Sequence, residues 1–267
     1  MPPQDTAPFD AWLEALEARH LERLRFPEVS RALRALSSAY VERRDRLAHG
    51  AALDGGGKRA AFALFYGPLH FLTVREIVLR LPAPDPPIDT IVDLGCGTGA
   101  AGAAWATTTP GGRHPQIVGI DRHQWAVAEA AWTYRAFGLR GRATQEDSVR
   151  ARIPLRRAGL LAAYLVNELA EDARTRMRER LLDAARRGAA VLVVEPISRR
   201  VVPWWDEWVQ AFAPRGGRAD EWRFDVTLPD IVRRLGRAAG LSAAEVTARS
   251  LYAPAQPLPR SGEDGLR

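Results

Sequence analysis

The chain has 267 residues, 46% of them hydrophobic and 26% charged, with one cysteine and a formal net charge of +6. No uncharged apolar run approaches the roughly 20 residues that a membrane span needs, and a single Cys excludes a disulfide-stapled scaffold and a cysteine-based zinc or iron–sulfur module. The opening MPPQDTAPFD has neither a basic start nor an apolar stretch, so no secretory signal and a cytoplasmic location are expected. The positive balance suits a phosphate-bearing partner, yet it comes from 37 Arg and the single Lys58 amid many Ala, the usage of a GC-rich genome.

Apolar residues in the first 81 positions follow a helical period. Phe9, Trp12, Leu13 and Leu16, then Val29, Leu33, Leu36 and Tyr40, recur at three- and four-residue steps and predict two amphipathic helices. A third helical stretch from about Arg59 to Leu81 is interrupted at Gly67-Pro68, where proline suits a fresh first turn, and Phe62, Phe65, Leu69, Leu72 and Val78 form its packing face. Gly55-Gly56-Gly57-Lys58 looks like a phosphate loop only superficially: position 52 is Ala, Arg59 follows the lysine and no strand precedes, so a loop separating helices is expected. Four prolines within residues 82–87 stop every helix and mark a linker. Residues 1–81 therefore read as an N-terminal helical cap.

Beyond Ile88, short apolar runs alternate with helical stretches, the pattern of an α/β unit with a parallel sheet. The predicted strands are Thr90–Leu94, Gln116–Ile120, Arg142–Gln145, Leu160–Val166 and Ala190–Val194, with helices near Gly99–Thr107, Gln124–Phe137 and Asp172–Arg187. A helix near Pro229–Ala239 and a strand near Ala244–Leu251 finish the sheet, giving a second domain over 88–253 and a loose tail over 254–267. Leu160–Val166 and Val191–Val194 lack polar alternation, as strands covered on both faces do.

The chemistry concentrates at strand ends. IVDLGCGTGAAGAAWA, residues 91–106, is a strand ending in Asp93, a turn through Gly95, Gly97 and Gly99, and an Ala-rich helix. Glycines let the backbone approach a ligand, and the helix start offers unpaired N–H groups, so a nucleoside-containing cofactor fits. Spacing alone also admits a dinucleotide, since Gly97-Gly99-Gly102 matches GxGxxG. Asp93, beside the loop, would repel a pyrophosphate but welcome an ammonium. IVGID ends at Asp121, 26 residues after Gly95, where a carboxylate can accept both ribose hydroxyls. Glu146-Asp147 follows the next strand. Helix capping is the alternative role of each carboxylate.

The run D-L-G-C-G-T-G resembles the first motif of the class I S-adenosylmethionine-dependent methyltransferases. That resemblance implies a Rossmann-like sheet, mostly parallel with its last strand antiparallel, and S-adenosylmethionine as cofactor. It implies cofactor contacts from Asp93, Gly95, Cys96, Gly97, Thr98, Gly99, Asp121, Arg122, Glu146, Asp147 and Asn167, with Asp147 at the position that meets the adenine amino group. Methyl transfer needs an aligned acceptor and somewhere for its proton to go. The candidates are Asn167 and Glu168 after the fourth strand, and Tyr66 and His70 on the preceding helix. Asn167-Glu168-Leu169 lacks the N-P-P-Y of many enzymes that methylate nitrogen. YLVNEL paired with VLVVEP, together with Tyr40-Val41-Glu42-Arg43-Arg44, resembles more distantly the mitochondrial small-ribosomal-subunit methyltransferase-like assembly family. That family carries a cysteine cluster; here Trp222-Arg223-Phe224 stands in its place and no Cys follows Cys96, so no metal site is expected.

The acceptor readings are a small molecule, held between the cap and the aromatic run Trp204–Trp208, or RNA or a ribosomal particle gripped by arginines. A cofactor-binding assembly protein without turnover is the third. For Trp204 and Trp208 the competing expectation is a core pair docked on the N-terminal helices. Arg174, Arg176, Arg178 and Arg180 spread around their helix, which predicts a solvated surface.

Overall fold

The structure, a computed structural model, describes residues 7–42, 53–109, 113–241 and 245–256. Arg43 and Arg44, Ala244 and residues 257–267, all part of the expectations above, lie outside these.

Helix α1 (Ala7–Leu21) buries Phe9, Trp12 and Leu16, and α2 (Phe26–Glu42) buries Val29, Leu33 and Leu36, the rows their period requires. Helix α3 spans Gly56–Ala61, so the expected loop at Gly55–Lys58 is corrected: the helix has already begun, with Gly55 (φ +85°) as its N-cap. The chain then makes one π-helical turn, Phe62–Tyr66, and continues as α4 (Gly67–Val78) with Pro68 in its first turn. A π turn inserts a residue into the helical ladder and is frequent at functional sites.

Strands β1 (Thr90–Leu94), β2 (Gln116–Asp121), β3 (Gly141–Gln145), β4 (Ala158–Ala163), β5 (Ala190–Glu195), β6 (Arg218–Phe224) and β7 (Val246–Ala253) form one sheet in the order β3-β2-β1-β4-β5-β7-β6. The first five are parallel, and β7 runs antiparallel to both β5 and β6. Helices α5 (Ala100–Thr108), α6 (Gln124–Ala136), α7 (Glu171–Arg186), α8 (Trp205–Phe212) and α9 (Asp230–Ala239) supply the connections. Strand β4 ends at Ala163, three residues short of expectation, because Tyr164 takes a left-handed φ of +57°. Strand β6 went unforeseen; it is mostly polar and exposed, with only Phe224 buried, and lies at the sheet edge.

Both faces of the sheet are covered, and alternate residues serve separate cores. Ile91, Ile117, Leu161, Leu192 and Val194 pack under α1–α6 and α9. Val92, Leu94, Val118, Ile120, Leu160, Val191 and Val193 pack against α7, α8 and the tryptophans. Trp204, Trp205 and Trp208 are at most 7% exposed and belong wholly to this second core. They are core residues, but on the face opposite the N-terminal helices, which corrects both earlier placements: they do not dock on the cap, and among the described residues none of them lines the cavities that the N-terminal helices border. The arginines of α7 are less solvated than expected. Arg174 donates to Leu169 O and Arg180 to the carbonyls of Val149 and Ala151, tying the helix to neighbouring loops. Among the described residues, no helix is long and apolar enough to cross a membrane.

Candidate functional site

In a parallel sheet the strand order reverses at a point where carboxyl-terminal loops part and leave a crevice. Here that point lies between β1 and β4. A cavity of about 520 Å³ opens there, within the ~300–1,000 Å³ common for small-molecule sites. One wall is the continuous face of the π turn and α4, from which Phe62, Tyr66, Leu69, His70 and Thr73 point inward.

The glycine loop forms the floor. Gly95 adopts φ +66° and donates its N–H to Ile120 O (2.8 Å) and Ser148 Oγ (3.0 Å); a Cβ there would lie 2.6 Å from Leu165 Cδ1. Asp121 clamps the loop from β2. Its Oδ2 accepts the N–H of Gly97 (3.0 Å) and its Oδ1 the N–H of His123 (2.8 Å). Each oxygen retains a lone pair for a ligand, so the carboxylate is held in one orientation before anything binds. Asp93 is 1% exposed; its Oδ2 accepts the N–H of Gly102 (3.1 Å) while Oδ1 is buried with no hydrogen-bond partner. Gly102 allows this approach, since a Cβ there would stand 2.6 Å from Asp93 Oδ2.

The cavity brings together most of the residues that the sequence singled out: Tyr66, His70, Asp93, Gly95, Cys96, Gly97, Thr98, Asp121, Arg122, Asp147, Asn167 and Glu168 all line it. Two lie elsewhere. Glu146 is exposed and outside the lining, and Gly99 (φ +75°) caps α5 with its back against Ala130 and Tyr134. Asp147 Oδ1 already accepts the N–H of Val149 (2.9 Å), leaving Oδ2 beside Arg150. Tyr164, delivered with Asn167 and Glu168 by the end of the fourth strand, lines the cavity too, and Phe62 and Ser148 join the lining without having been foreseen as site residues. The four-residue step from Phe62 through Tyr66 to His70 was a readable signal; the Ser148 brace to Gly95 was not.

Burial sets the protonation states. Asp93 is pushed up from 3.8 to about 7 by desolvation, opposed by the Gly102 hydrogen bond and aided by the nearby Asp121 charge. Desolvation likewise raises Glu168 to about 7 and lowers His70 to about 4. His70 stacks on Tyr164 at 4.2 Å between centroids and 16° between planes. Tyr66, raised to about 12 by burial, shares a hydrogen bond with Ser37. At neutral pH the wall thus presents an uncharged imidazole and a protonated phenol.

No protein-family model matches the chain, and no curated protein matches it. Solved structures do. The mitomycin 7-O-methyltransferase MmcR is 15% identical with a TM-score of 0.52, the match covering 95% of this chain and 74% of that one. A SAM-dependent methyltransferase from Aquifex aeolicus is 15% identical (TM-score 0.47; 70% of this chain, 92% of that one). The N-methyltransferase NodS from Bradyrhizobium japonicum is 12% identical (TM-score 0.45; 69% and 97%). At such identities the likeness is one of fold, and the match to MmcR extends it over nearly the whole chain. With strand order β3-β2-β1-β4-β5-β7-β6 and β7 antiparallel, the chain has the Rossmann-like fold of the class I methyltransferases.

Proposed function

We propose that this chain is an S-adenosylmethionine-dependent methyltransferase acting on a small-molecule acceptor. The observation that carries the reading is one cavity in which carboxylates from three consecutive strand ends meet three polar side chains, those of His70, Asn167 and Glu168, that have no hydrogen-bond partner among the described residues. The cofactor passes a test of fit. The partnerless Oδ1 of Asp93 calls for a cationic or hydrogen-bond-donating group, and an amino-acid ammonium supplies one. Asp121 offers free lone pairs to ribose hydroxyls, and Asp147 borders the same cavity on the β3 side. Gly95, Cys96, Gly97 and Thr98 would lie beneath it, with Arg122 at the rim.

When bound, the cofactor supplies a methyl group on a sulfonium already activated for in-line displacement. The protein's own work is then alignment and proton management. His70, neutral because burial disfavours its charged form, accepts a hydrogen bond from the acceptor, and the Tyr164 ring fixes its plane. Glu168, raised by burial to about 7 and so partly ionised at neutral pH, takes the acceptor's proton. Asn167 borders the cofactor and, through its amide, orients the acceptor beside it. Phe62, Leu69, Leu165 and Val201 keep water from the reacting atoms.

A small acceptor is favoured over RNA by the lining itself. Among the described lining residues Arg122 is the one Lys or Arg, whereas gripping a polynucleotide takes several cations along a backbone track. Incubating the protein and methyl-tritiated cofactor with fractionated lysate tests this. Label in solvent-extractable small molecules supports the reading; label in ribosomal or other RNA overturns the acceptor assignment. Tight cofactor binding with no label anywhere overturns turnover itself.

A further inference from the structure

Glu195 closes β5 as a fully buried carboxyl that is outside the cavity lining. Its Oε1 accepts two consecutive backbone N–H groups, those of Val166 (2.8 Å) and Asn167 (3.2 Å). These begin the single 3₁₀ turn Val166–Glu168, whose leading N–H groups have no partner within the turn. The flanking chain is tied to the same strand. Tyr164, in its left-handed conformation, donates its N–H to Val194 O (2.7 Å), one residue before Glu195. Leu165 packs on the Gly95 backbone, and Leu169 O accepts from Arg174 Nη2 (2.8 Å). Residues 164–169 are therefore pinned between β5, the glycine loop and α7, and the polar side chains they hold toward the cavity include those of Asn167 and Glu168.

An apolar residue would fill this position at less expense. Burying an unpaired carboxyl is unfavourable, and the second oxygen, Oε2, has no hydrogen-bond partner among the described residues. Packing alone gives no reason for an acid here; two N–H groups that must be held do. Resting on the methyltransferase reading, we propose that Glu195 is a positioning residue: through the N–H groups of Val166 and Asn167 it sets where Asn167 and Glu168 stand in the cavity. The group is neutral at pH 7, since burial raises it to about 8. Its accepting atom is then a carbonyl oxygen, which glutamine reproduces.

Calorimetric titration with S-adenosylhomocysteine and amide hydrogen exchange over residues 164–169 test the proposal together. Glu195→Gln should rescue both, staying within about twofold of wild type. Glu195→Ala should bind roughly tenfold more weakly, as for a lost buried hydrogen-bonding group, and its Val166 and Asn167 amides should exchange at least tenfold faster. Asn167→Ala should show a similar loss of affinity, and the double variant no further loss, because coupled residues are non-additive. If Glu195→Ala does not give native circular dichroism, Glu195→Asp, one methylene too short to reach both N–H groups, replaces it. Unchanged binding and exchange in the shortened variant, additive losses in the double variant, or a Gln variant as impaired as Ala would each overturn the assignment. If wild type fails to bind the nucleoside, the methyltransferase reading falls, while the exchange comparison still decides whether Glu195 clamps the turn.

Discussion

Asp93→Asn should make the free protein more stable at alkaline pH and worse at holding its cofactor. The carboxyl is 1% exposed and raised from 3.8 to about 7. An acid raised on folding leaves stability intact below its unfolded value, costs stability as pH climbs toward the folded value, and costs a constant amount beyond it. At about 1.4 kcal/mol for each pH unit between the two values, the full cost is about 4 kcal/mol above pH 7, of which about 2 kcal/mol has accrued by pH 5.5. Asparagine is neutral throughout and keeps an oxygen for the Gly102 N–H. The stability gap between variant and wild type should thus widen by about 2 kcal/mol from pH 5.5 to 8.5. For a chain of this size that is a further ~4–8 °C in Tm. Thermal unfolding of both proteins at the two pH values reads it directly. The same variant should bind S-adenosylhomocysteine more weakly, having no charge to offer its ammonium. A gap that stays constant with pH, or a variant less stable than wild type at pH 8.5, would refute the reasoning.

Three further outcomes follow from packing and charge. Trp208→Ala should cost about 3–5 kcal/mol in urea unfolding, as a fully buried ring removed from the α8 core, yet leave nucleoside affinity unchanged in the folded protein; lost affinity at unchanged stability would return the tryptophans to the site. His20→Ala should cost about 1–3 kcal/mol, because Nε2 lies 2.7 Å from Oε1 of the buried Glu129 and helps join α1 to α6; a neutral effect in urea unfolding would show that Arg19 alone satisfies that carboxylate. Methyl transfer to the small acceptor should vary little between 50 and 300 mM salt, whereas a fall steep enough to match release of several phosphate counterions would identify RNA.

The architecture was legible where one pattern dominated. β1 came out at its predicted residues because Thr90–Leu94 is bounded by prolines before and glycines after. The fresh helical turn at Gly67-Pro68 was readable from the ring of proline, although the π turn feeding it was not, since no local rule distinguishes it from α. The end of β4 was misplaced because Tyr164 takes a backbone conformation that sequence assigns to glycine, and only tertiary contacts maintain it. Strand β6 escaped because one face is solvated and its pairing partner, β7, lies over twenty residues later. In the site, motif spacing located the loop and Asp121, and a helical step offered His70, whereas the contacts of Ser148 with Gly95 and of Glu195 with Val166 and Asn167 cross long sequence separations that no periodicity reports. Core packing was one of two readings of the tryptophan run, and pattern carries no information on which face of a sheet a helix will cover.

Calorimetric titration of the wild-type protein with S-adenosylhomocysteine tests most directly whether the cavity is built for a sulfonium nucleoside. Saturable binding at one site per chain is the expected result, weakened by about 1–3 kcal/mol in Asp121→Ala as ribose partners are lost. No detectable heat from protein with a native circular dichroism spectrum, or equal affinity in wild type and Asp121→Ala, would contradict it.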